Sequence, residues 1–215
     1  NPLAGIRNLA EISRMDSPEG GQVRELQGEI IAAVDRFNEW LRGLLDVTSP
    51  LRVSPAEHAP GPWLEGIVAS HAPMARMRSV ELRHDLAAAP EVAEFDPRHL
   101  EHAVVAVLTN AIQVSPPGAP VTLAARATGR DLPSGWWEIE VADEGPGIPA
   151  NLRERIFSPY FTTKRDGNGI GLAIAMQVVK RHGGRIDLST RENAGTRFFL
   201  RLPLKTPPES EPSTG

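Results

Sequence analysis

Asn110 is a polar side chain that follows an otherwise apolar helical run, residues 103–108, and Gln113 comes three residues later. Burying a carboxamide is costly unless its oxygen and nitrogen find partners, and a magnesium ion with its phosphates would be a suitable one. An asparagine that hydrogen-bonds to a neighbouring loop would explain the pattern equally well. The residue alone leaves a metal site and a structural role both open.

Asp143 closes a predicted strand and is followed at once by Glu144-Gly145-Pro146-Gly147. Two glycines at this spacing let the backbone turn sharply and approach a flat ligand closely. An ionised aspartate only accepts hydrogen bonds, so it suits the exocyclic amine of adenine and repels the carbonyl of guanine. An ordinary Asp-Gly turn is the alternative interpretation.

A predicted loop downstream carries aromatic residues and a cation. Its segment 157–164 includes Phe161 and Thr163 and ends at Lys164, the only lysine among the first 179 residues. Aromatic side chains can anchor a loop that folds over a ligand, and a lysine offers a positive charge to a phosphate. A loop held to the core by its phenylalanines is the alternative.

A glycine cluster, Gly169-Ile170-Gly171-Leu172, leads directly into a predicted helix. Backbone N–H groups at a helix N-terminus attract anions, and glycines let phosphates come close. The G-x-G-x-G spacing after a loop is not the dinucleotide fingerprint, and the P-loop pattern is absent from the sequence. The cluster therefore predicts a phosphate site of a different kind.

Helix and strand signals alternate after residue 50 and predict the elements that position these motifs. Asp96 is a good N-cap with Pro97 at the first helical position, so the helix that carries Asn110 should run from 97 to about 114. Further helices are predicted at 62–72 and 169–181, with extended segments at 80–86, 121–127, 136–142, 185–190 and 196–202. Helices on a mixed, largely antiparallel sheet give an α+β fold, a two-layer α/β sandwich.

Residues 1–49 carry only helical signals. Apolar residues recur at spacings of three and four, close to a heptad stripe, at Val23, Leu26, Ile30, Val34, Phe37, Leu41 and Leu44. A turn at 16–21 separates this helix from a shorter one, which predicts an antiparallel helical hairpin. A second copy of the chain would cover the stripe in a four-helix bundle, and a two-helix cap on the second domain is the alternative. A joint rich in proline and polar residues, 48–60, should let the two units move.

The composition limits the function classes. The 215 residues give room for one domain and a smaller module, and the net charge of −4 argues against nucleic acid as a partner. The absence of cysteine excludes disulfides and thiolate metal sites. Because no apolar run is long enough to span a bilayer, we expect no membrane contact in this stretch and a cytoplasmic location. The tail at 205–215 is rich in proline, serine and glutamate, and we expect it to be disordered.

Together and in this order, the motifs resemble those of the sensor histidine kinases of two-component systems, within the ATPases that include gyrase, the Hsp90 chaperones and MutL. Asn110 matches the N box of this family, and 157–164 its F box. The first glycine box matches Asp143, Gly145 and Gly147, the second matches Gly169, Gly171 and Leu172, and the last short box matches 194–196. The resemblance covers residues 1–204, with ATP bound by 50–204.

The resemblance also implies a role for each matching residue. Asn110 would coordinate Mg²⁺, Asp143 would bind the adenine amine, and Thr196 would lie near the adenine. Lys164 and the backbone of 169–172 would meet the phosphates, under an ATP lid formed by about 147–169. The remaining members of the expected ATP-binding set are Gln113, Phe161, Thr163 and Ile170. The γ-phosphate would pass to a histidine on the hairpin and then to an aspartate of a response regulator.

Asn1-Pro2-Leu3 resembles the end of the family's H box, in which the phospho-accepting histidine lies four positions before the asparagine. None of the six histidines lies in the first predicted helix. We therefore expect the acceptor upstream, and no autophosphorylation by the present chain alone. An asparagine at the place of Asn1 is associated in the family with dephosphorylation of the regulator. A phosphatase role is thus a hypothesis, which the decay of phosphorylated regulator with Asn1→Ala in a longer protein would test.

The chain departs from the family pattern at Ala106, one helical turn before Asn110, where a second polar residue is usual. Gyrase-like ATPases carry an acidic general base at that turn. Because alanine cannot abstract a proton, intrinsic ATP hydrolysis of that type is not expected. Two other functions stay open: a serine kinase of the anti-sigma type, and a non-catalytic, nucleotide-responsive dimer scaffold.

Overall fold

The computed structural model describes residues 12–13, 23, 26–28, 30–31, 34, 53–128, 135–164 and 169–205. Between residues 53 and 205 these form a mixed α/β fold in two layers, with helices packed on one face of a five-stranded sheet. The elements in chain order are β1 Ala56–His58, α1 Pro60–Met77, β2 Glu81–Ala88, β3 Ala93–Phe95, α2 Pro97–Val114, β4 Pro120–Thr128, β5 Trp136–Asp143, α3 Gly171–Arg181, β6 Arg185–Thr190 and β7 Thr196–Pro203.

The five-stranded sheet has the order β2-β4-β5-β7-β6. Strand β2 runs parallel to β4, and every other neighbouring pair is antiparallel, which confirms the predicted mixed sheet. Alternate residues of β5, Trp137, Ile139 and Val141, are fully buried under the helices. The register of β5 and β7 places Asp143 opposite Thr196, so two predicted site residues meet at one end of the sheet.

Helix α2 begins and ends where the sequence predicts. The Asp96 carboxylate accepts hydrogen bonds from the N–H groups of Arg98 and His99, and Pro97 occupies the first turn. Several apolar side chains of α2 are fully buried, among them Leu100, Val104, Val107 and Leu108. This packing fixes the helix on the sheet and thereby fixes the position of Asn110.

Helix α1 is longer than the predicted 62–72, because it begins at Pro60 and continues past Pro73 to Met77. Proline inside a helix removes one backbone hydrogen bond and crowds the preceding turn, which is why the sequence pattern predicts an end there. Burial of Ala75 in the core keeps the last turn packed. Tertiary packing therefore outweighs the local signal.

The predicted flexible joint at 48–60 is wrong in its second half. Residues 56–58 form β1, which pairs antiparallel with β3. The N–H of Ser54 donates to Oδ2 of Asp96 at 2.9 Å, and the His58 ring contacts the ring of Phe95, 5.3 Å between centroids. Because main-chain and side-chain bonds hold this segment, it belongs to the sandwich.

The described residues between 12 and 34 are all helical. Nε2 of Gln27 donates to Oγ of Ser13 at 2.6 Å, and the stripe residues Val23, Leu26 and Ile30 are 45–59% exposed. The rest of the predicted hairpin and the tail from 206 onward lie outside the described residues. Within the part of the chain that the structure covers, no helix has the length and apolar character needed to cross a bilayer.

His182 is a fully buried side chain that connects the end of α3 with the start of α2. Its Nε2 accepts the N–H of Asp96 at 3.0 Å, and its Nδ1 lies 2.8 Å from the carbonyl oxygen of Val178. Since a carbonyl only accepts, the proton lies on Nδ1 and the imidazole is neutral. Burial lowers the pKa of His182, although the Val178 carbonyl and the Asp96 charge act against this.

We expect the domain to lose stability as the pH falls below about 6.5, the pKa of an unfolded histidine. The folded pKa of His182 is lower, so the unfolded chain binds the proton first. The stabilisation is therefore present above that pH and lost below it, by at most about 1.4 kcal/mol per pH unit. The measurement is urea unfolding between pH 8 and pH 5, where His182→Gln should remove this component of the pH dependence.

His102→Gln is the matched control, because His102 is exposed on α2. Burial raises the pKa of Asp96, but hydrogen bonds from Ser54 and His99 bring it to about 2, so this carboxylate stays ionised over the range. A wild-type unfolding free energy that is constant from pH 8 to pH 5, or the same profile in His182→Gln, would contradict the prediction.

Candidate functional site

Asn110 and Gln113 on α2 both contact the ammonium group of Lys164. Nζ of Lys164 donates to Oδ1 of Asn110 at 2.5 Å and to Oε1 of Gln113 at 2.8 Å. Burial lowers the pKa of Lys164, and the nearby charge of Arg78 lowers it further, while the charge of Asp143 raises it. The helix and the loop thus meet through a cation held by two amide oxygens.

Asp143 is a buried carboxylate at the end of β5. Its Oδ1 accepts the N–H of Gly145 at 2.8 Å and the N–H of Thr196 at 3.2 Å. Burial raises the pKa of Asp143, while these two hydrogen bonds and the charge of Lys164 lower it. Two backbone donors therefore fix one oxygen of the carboxylate, and the other oxygen is oriented by them.

The turn between β6 and β7 packs against the glycine segment that follows Asp143. The N–H of Gly195 donates to the carbonyl of Gly145 at 3.0 Å, and the N–H of Asn193 donates to the carbonyl of Pro146 at 2.7 Å. The backbone of Gly147 lies directly against the carbonyl of Arg191. These close backbone contacts hold the first glycine segment in place beside Asp143.

Thr190 is a member of this site that the sequence analysis missed. Its Oγ1 accepts the N–H of Ile148 at 2.9 Å and lies 3.1 Å from Oγ1 of Thr196. Thr190 and Thr196 pair across the hairpin, and both flank the turn in the sequence, so the hairpin prediction could have indicated the pair. Thr190 ties the start of the loop after Gly147 to the sheet.

The second glycine cluster lies at the start of α3, beside α2. No side-chain cap covers this helix start, and a Cβ at Gly171 would lie 3.4 Å from the Cβ of Ala106. Ile170 is buried and Leu172 packs against the core. The small side chain of Ala106 thus lets the start of α3 come close to the helix that carries Asn110.

The loop of 147–164 crosses this region as two short 3₁₀ turns, Ala150–Leu152 and Arg155–Phe157. The guanidinium of Arg155 lies 4.6 Å from the centre of the Phe161 ring. The N–H of Tyr160 donates to the carbonyl of Gly169 at 2.9 Å, so the middle of the predicted lid contacts its C-terminal end. Thr163 is exposed on the loop and is not brought to Asn110 or Asp143 by a described contact. Residues 165–168 of the predicted lid lie outside the described residues.

We call the region bounded by Asp143, Asn110, Lys164 and the start of α3 the candidate cleft. A pocket of about 450 Å³ opens at the same end of the sheet, and its lining includes Asp143, Thr190 and Thr196 as well as Thr122, Ala142, Glu144 and Arg197. Thr122 and Ala142 alternate with buried residues of β4 and β5, so their part of the pocket lies on the face of the sheet opposite the helices. The pocket and the candidate cleft therefore share Asp143. Asn1, the remaining predicted site residue, lies outside the described residues.

Residues 95–206 match the family of histidine kinase-, DNA gyrase B- and HSP90-like ATPases. The match covers more than half of the chain, from the last residue of β3 to just beyond β7, and includes every element of the candidate cleft. The chain belongs to this family. Its sandwich is an ATP-binding domain of the histidine kinase type, which confirms the resemblance found in the sequence.

Sensor histidine kinase ZraS of Escherichia coli O157:H7 is 30% identical over 204 residues, which cover 95% of this chain and 43% of ZraS. The chain thus spans about two fifths of that relative. The fold is similar to full-length ShkA in complex with AMPPNP, with a TM-score of 0.77, 21% identity, and 94% of this chain and 42% of ShkA covered. It is also similar to histidine kinase ThkA in complex with response regulator protein TrrA, with a TM-score of 0.71, 20% identity, and 98% and 59% covered.

Proposed function

We propose that the chain is the core of a sensor histidine kinase in which residues 50–204 bind Mg–ATP and present its γ-phosphate to a histidine. The observation that carries this proposal is the contact between Asn110 and Lys164, which are 54 residues apart in the sequence. The charge of Asp143 acts on the same lysine. An acid, an amide oxygen and a cation in one cleft suit the base, the metal and the phosphates of a single nucleotide.

At the base end of the cleft, Asp143 would accept the exocyclic amine of adenine. Its Oδ1 already accepts two backbone N–H groups, so Oδ2 is the oxygen left for the ligand. Thr196 lies beside it, as the backbone bond to Asp143 requires. Gly145 and Gly147 let the flat base approach the backbone.

At the phosphate end, Asn110 would give its Oδ1 to Mg²⁺. An amide oxygen is an ordinary ligand of this cation, and Oδ1 of Asn110 already faces a positive charge, so the residue present fits the metal. The bound metal would neutralise phosphate charge. Lys164 and the backbone N–H groups of 169–172 would bind the phosphates, Phe161 and Thr163 would complete the site, and Gln113 would act on it through its contact with Lys164.

Ala106 supports transfer to a histidine over hydrolysis. It lies one turn before Asn110 and next to the start of α3, where a general base would have to activate water. A methyl group cannot take a proton. The γ-phosphate would therefore not be hydrolysed in the cleft and would be transferred only when an acceptor side chain reaches it.

Residues 1–49 would form the dimerisation and phosphotransfer hairpin, with the tail at 205–215 playing no part in the site. The bond from Gln27 to Ser13 is consistent with two helices in contact. Exposure of Val23, Leu26 and Ile30 supports a second copy of the chain as the partner that covers the stripe. The complex of ThkA with a response regulator supports a receiver domain as the next phosphate acceptor. The phosphatase role of Asn1 rests on the sequence alone.

The test is phosphorylation of a longer protein that includes the residues upstream of Asn1. With labelled ATP and Mg²⁺ it should acquire phosphate that is labile in acid and stable in base, and pass it to a receiver domain. Asn110→Ala should slow the first step about 100-fold, because it removes a fixed group that acts on transition-state charge. Glu101→Ala, at an exposed position of the same helix α2, is the matched control.

Two results would contradict the proposal. Acid-stable phosphate on a serine would favour the anti-sigma type of kinase. Saturable ATP binding without any transfer would favour a nucleotide-responsive scaffold.

A further inference from the structure

Lys164 is held by two side chains that share one face of α2. Asn110 and Gln113 are three residues apart, so their side chains are neighbours on the helix surface. Both present an amide oxygen to the same ammonium group, at 2.5 and 2.8 Å. The lysine is half-buried, whereas the other two lysines of the chain, Lys180 and Lys205, are exposed.

The oxygen of Asn110 that accepts from Lys164 is also the one proposed to ligate Mg²⁺. A magnesium–oxygen bond is about 2.1 Å long. A divalent ion and an ammonium group on one amide oxygen would therefore lie within about 5 Å of each other, where like charges repel strongly in a partly buried site. The metal-bound nucleotide and the Lys164 contact thus exclude each other at Asn110.

We propose that Gln113 is a positioning residue that keeps Lys164 on Asn110 in the nucleotide-free protein, so that Lys164 must leave Asn110 when the metal-bound nucleotide arrives. This inference rests on the proposed function. Gln113 supplies the second oxygen of the cradle and stabilises the lysine in the place where the metal charge would lie. The released ammonium is then available to the phosphates. Gln113 acts through Lys164. Loss of the hydrogen bond between them should therefore favour metal-dependent binding of the nucleotide.

The first measurement is the acetylation rate of each lysine in the nucleotide-free chain, followed by mass spectrometry. Lys180 and Lys205 serve as internal references. Gln113→Met keeps a similar size but removes the oxygen, so Lys164 should react several times faster while the references stay unchanged. Gln177→Met, at a half-buried position of α3, is the matched control and should leave the rates of Lys164 and Lys205 unchanged. Lys180 is not used as a reference for this variant, because it lies three residues further along the same helix.

The second measurement is the Mg²⁺ concentration that half-saturates binding of a fluorescent ADP analogue. In Gln113→Met this concentration should fall about tenfold, the usual effect of one hydrogen bond to a charged group. If Gln113 instead bound the nucleotide directly, the required Mg²⁺ concentration would rise or the analogue would bind more weakly. That outcome, or an unchanged midpoint, overturns the inference.

The two measurements separate this inference from the proposed function. The acetylation experiment needs no nucleotide, so an unchanged Lys164 rate in Gln113→Met refutes the cradle even if the analogue binds well. A wild-type chain that fails to bind the analogue at any Mg²⁺ concentration refutes the proposed function. Thermal unfolding of Gln113→Met and Gln177→Met shows whether both variants are folded. If Gln113→Met is not folded, Gln113→Ala is used instead. The expected results are the same: faster acetylation of Lys164 and a lower Mg²⁺ midpoint.

Discussion

Asp143→Asn should weaken adenine nucleotide binding by about 100-fold or more while the domain remains folded. The native carboxylate uses Oδ1 for the N–H groups of Gly145 and Thr196. An asparagine oxygen can keep those two bonds, which places its NH₂ group where the adenine amine would bind. Two donors then face each other, and both lose their acceptor. Calorimetric titration with Mg²⁺ and a non-hydrolysable ATP analogue measures the effect.

Asp85→Asn is the matched control, because Asp85 is an exposed residue of β2. It removes the same charge without changing the candidate cleft. The unfolding free energies of the two variants show whether Asp143→Asn also disturbs the fold. Equal nucleotide affinity in the wild type and in folded Asp143→Asn would remove the basis for an adenine site.

Functional residues can be found from the sequence where they violate a local rule. Asn110 is polar beside an apolar run, and Asp143 precedes glycines at the end of a strand. Neither residue type is expected at its position from packing alone, so the local pattern already indicates a functional role. Asp96 predicts a helix start in the same way, because the N-cap and the proline after it act on their own helix. These features depend on neighbours within a few residues.

The interactions that the sequence does not reveal join distant segments. Lys164 and Gln113 are 51 residues apart, and His182 bonds to a backbone group 86 residues away. Such partners are set by how α2, α3 and the sheet pack. Strand β1 lacks an alternating pattern and forms because its backbone groups pair with β3, next to the bond from Ser54 to Asp96. The proline and polar residues of 48–60 indicate a flexible joint as long as the pairing of β1 with β3 and the bond from Ser54 to Asp96 are unknown.

Gly195→Ala should destabilise the domain by about 3 kcal/mol or more and abolish nucleotide binding. Gly195 has a φ of +81°, and a Cβ built on it overlaps the carbonyl oxygen of Asp143. The new methyl group would therefore push β5 and β7 apart where Asp143 bonds to Thr196. Urea unfolding and nucleotide titration of the same preparation measure both losses.

Gly118→Ala separates backbone strain from this overlap. Gly118 has nearly the same φ, +85°, but a Cβ there has no heavy atom within 4 Å. Its cost should be only that of the left-handed conformation, about 1–2 kcal/mol, and nucleotide binding should be retained. Similar losses in the two variants would mean that the contact between Gly195 and Asp143 does not hold the site together. A much larger loss in Gly195→Ala means that the carboxylate proposed to bind adenine is positioned by a backbone contact that only glycine permits.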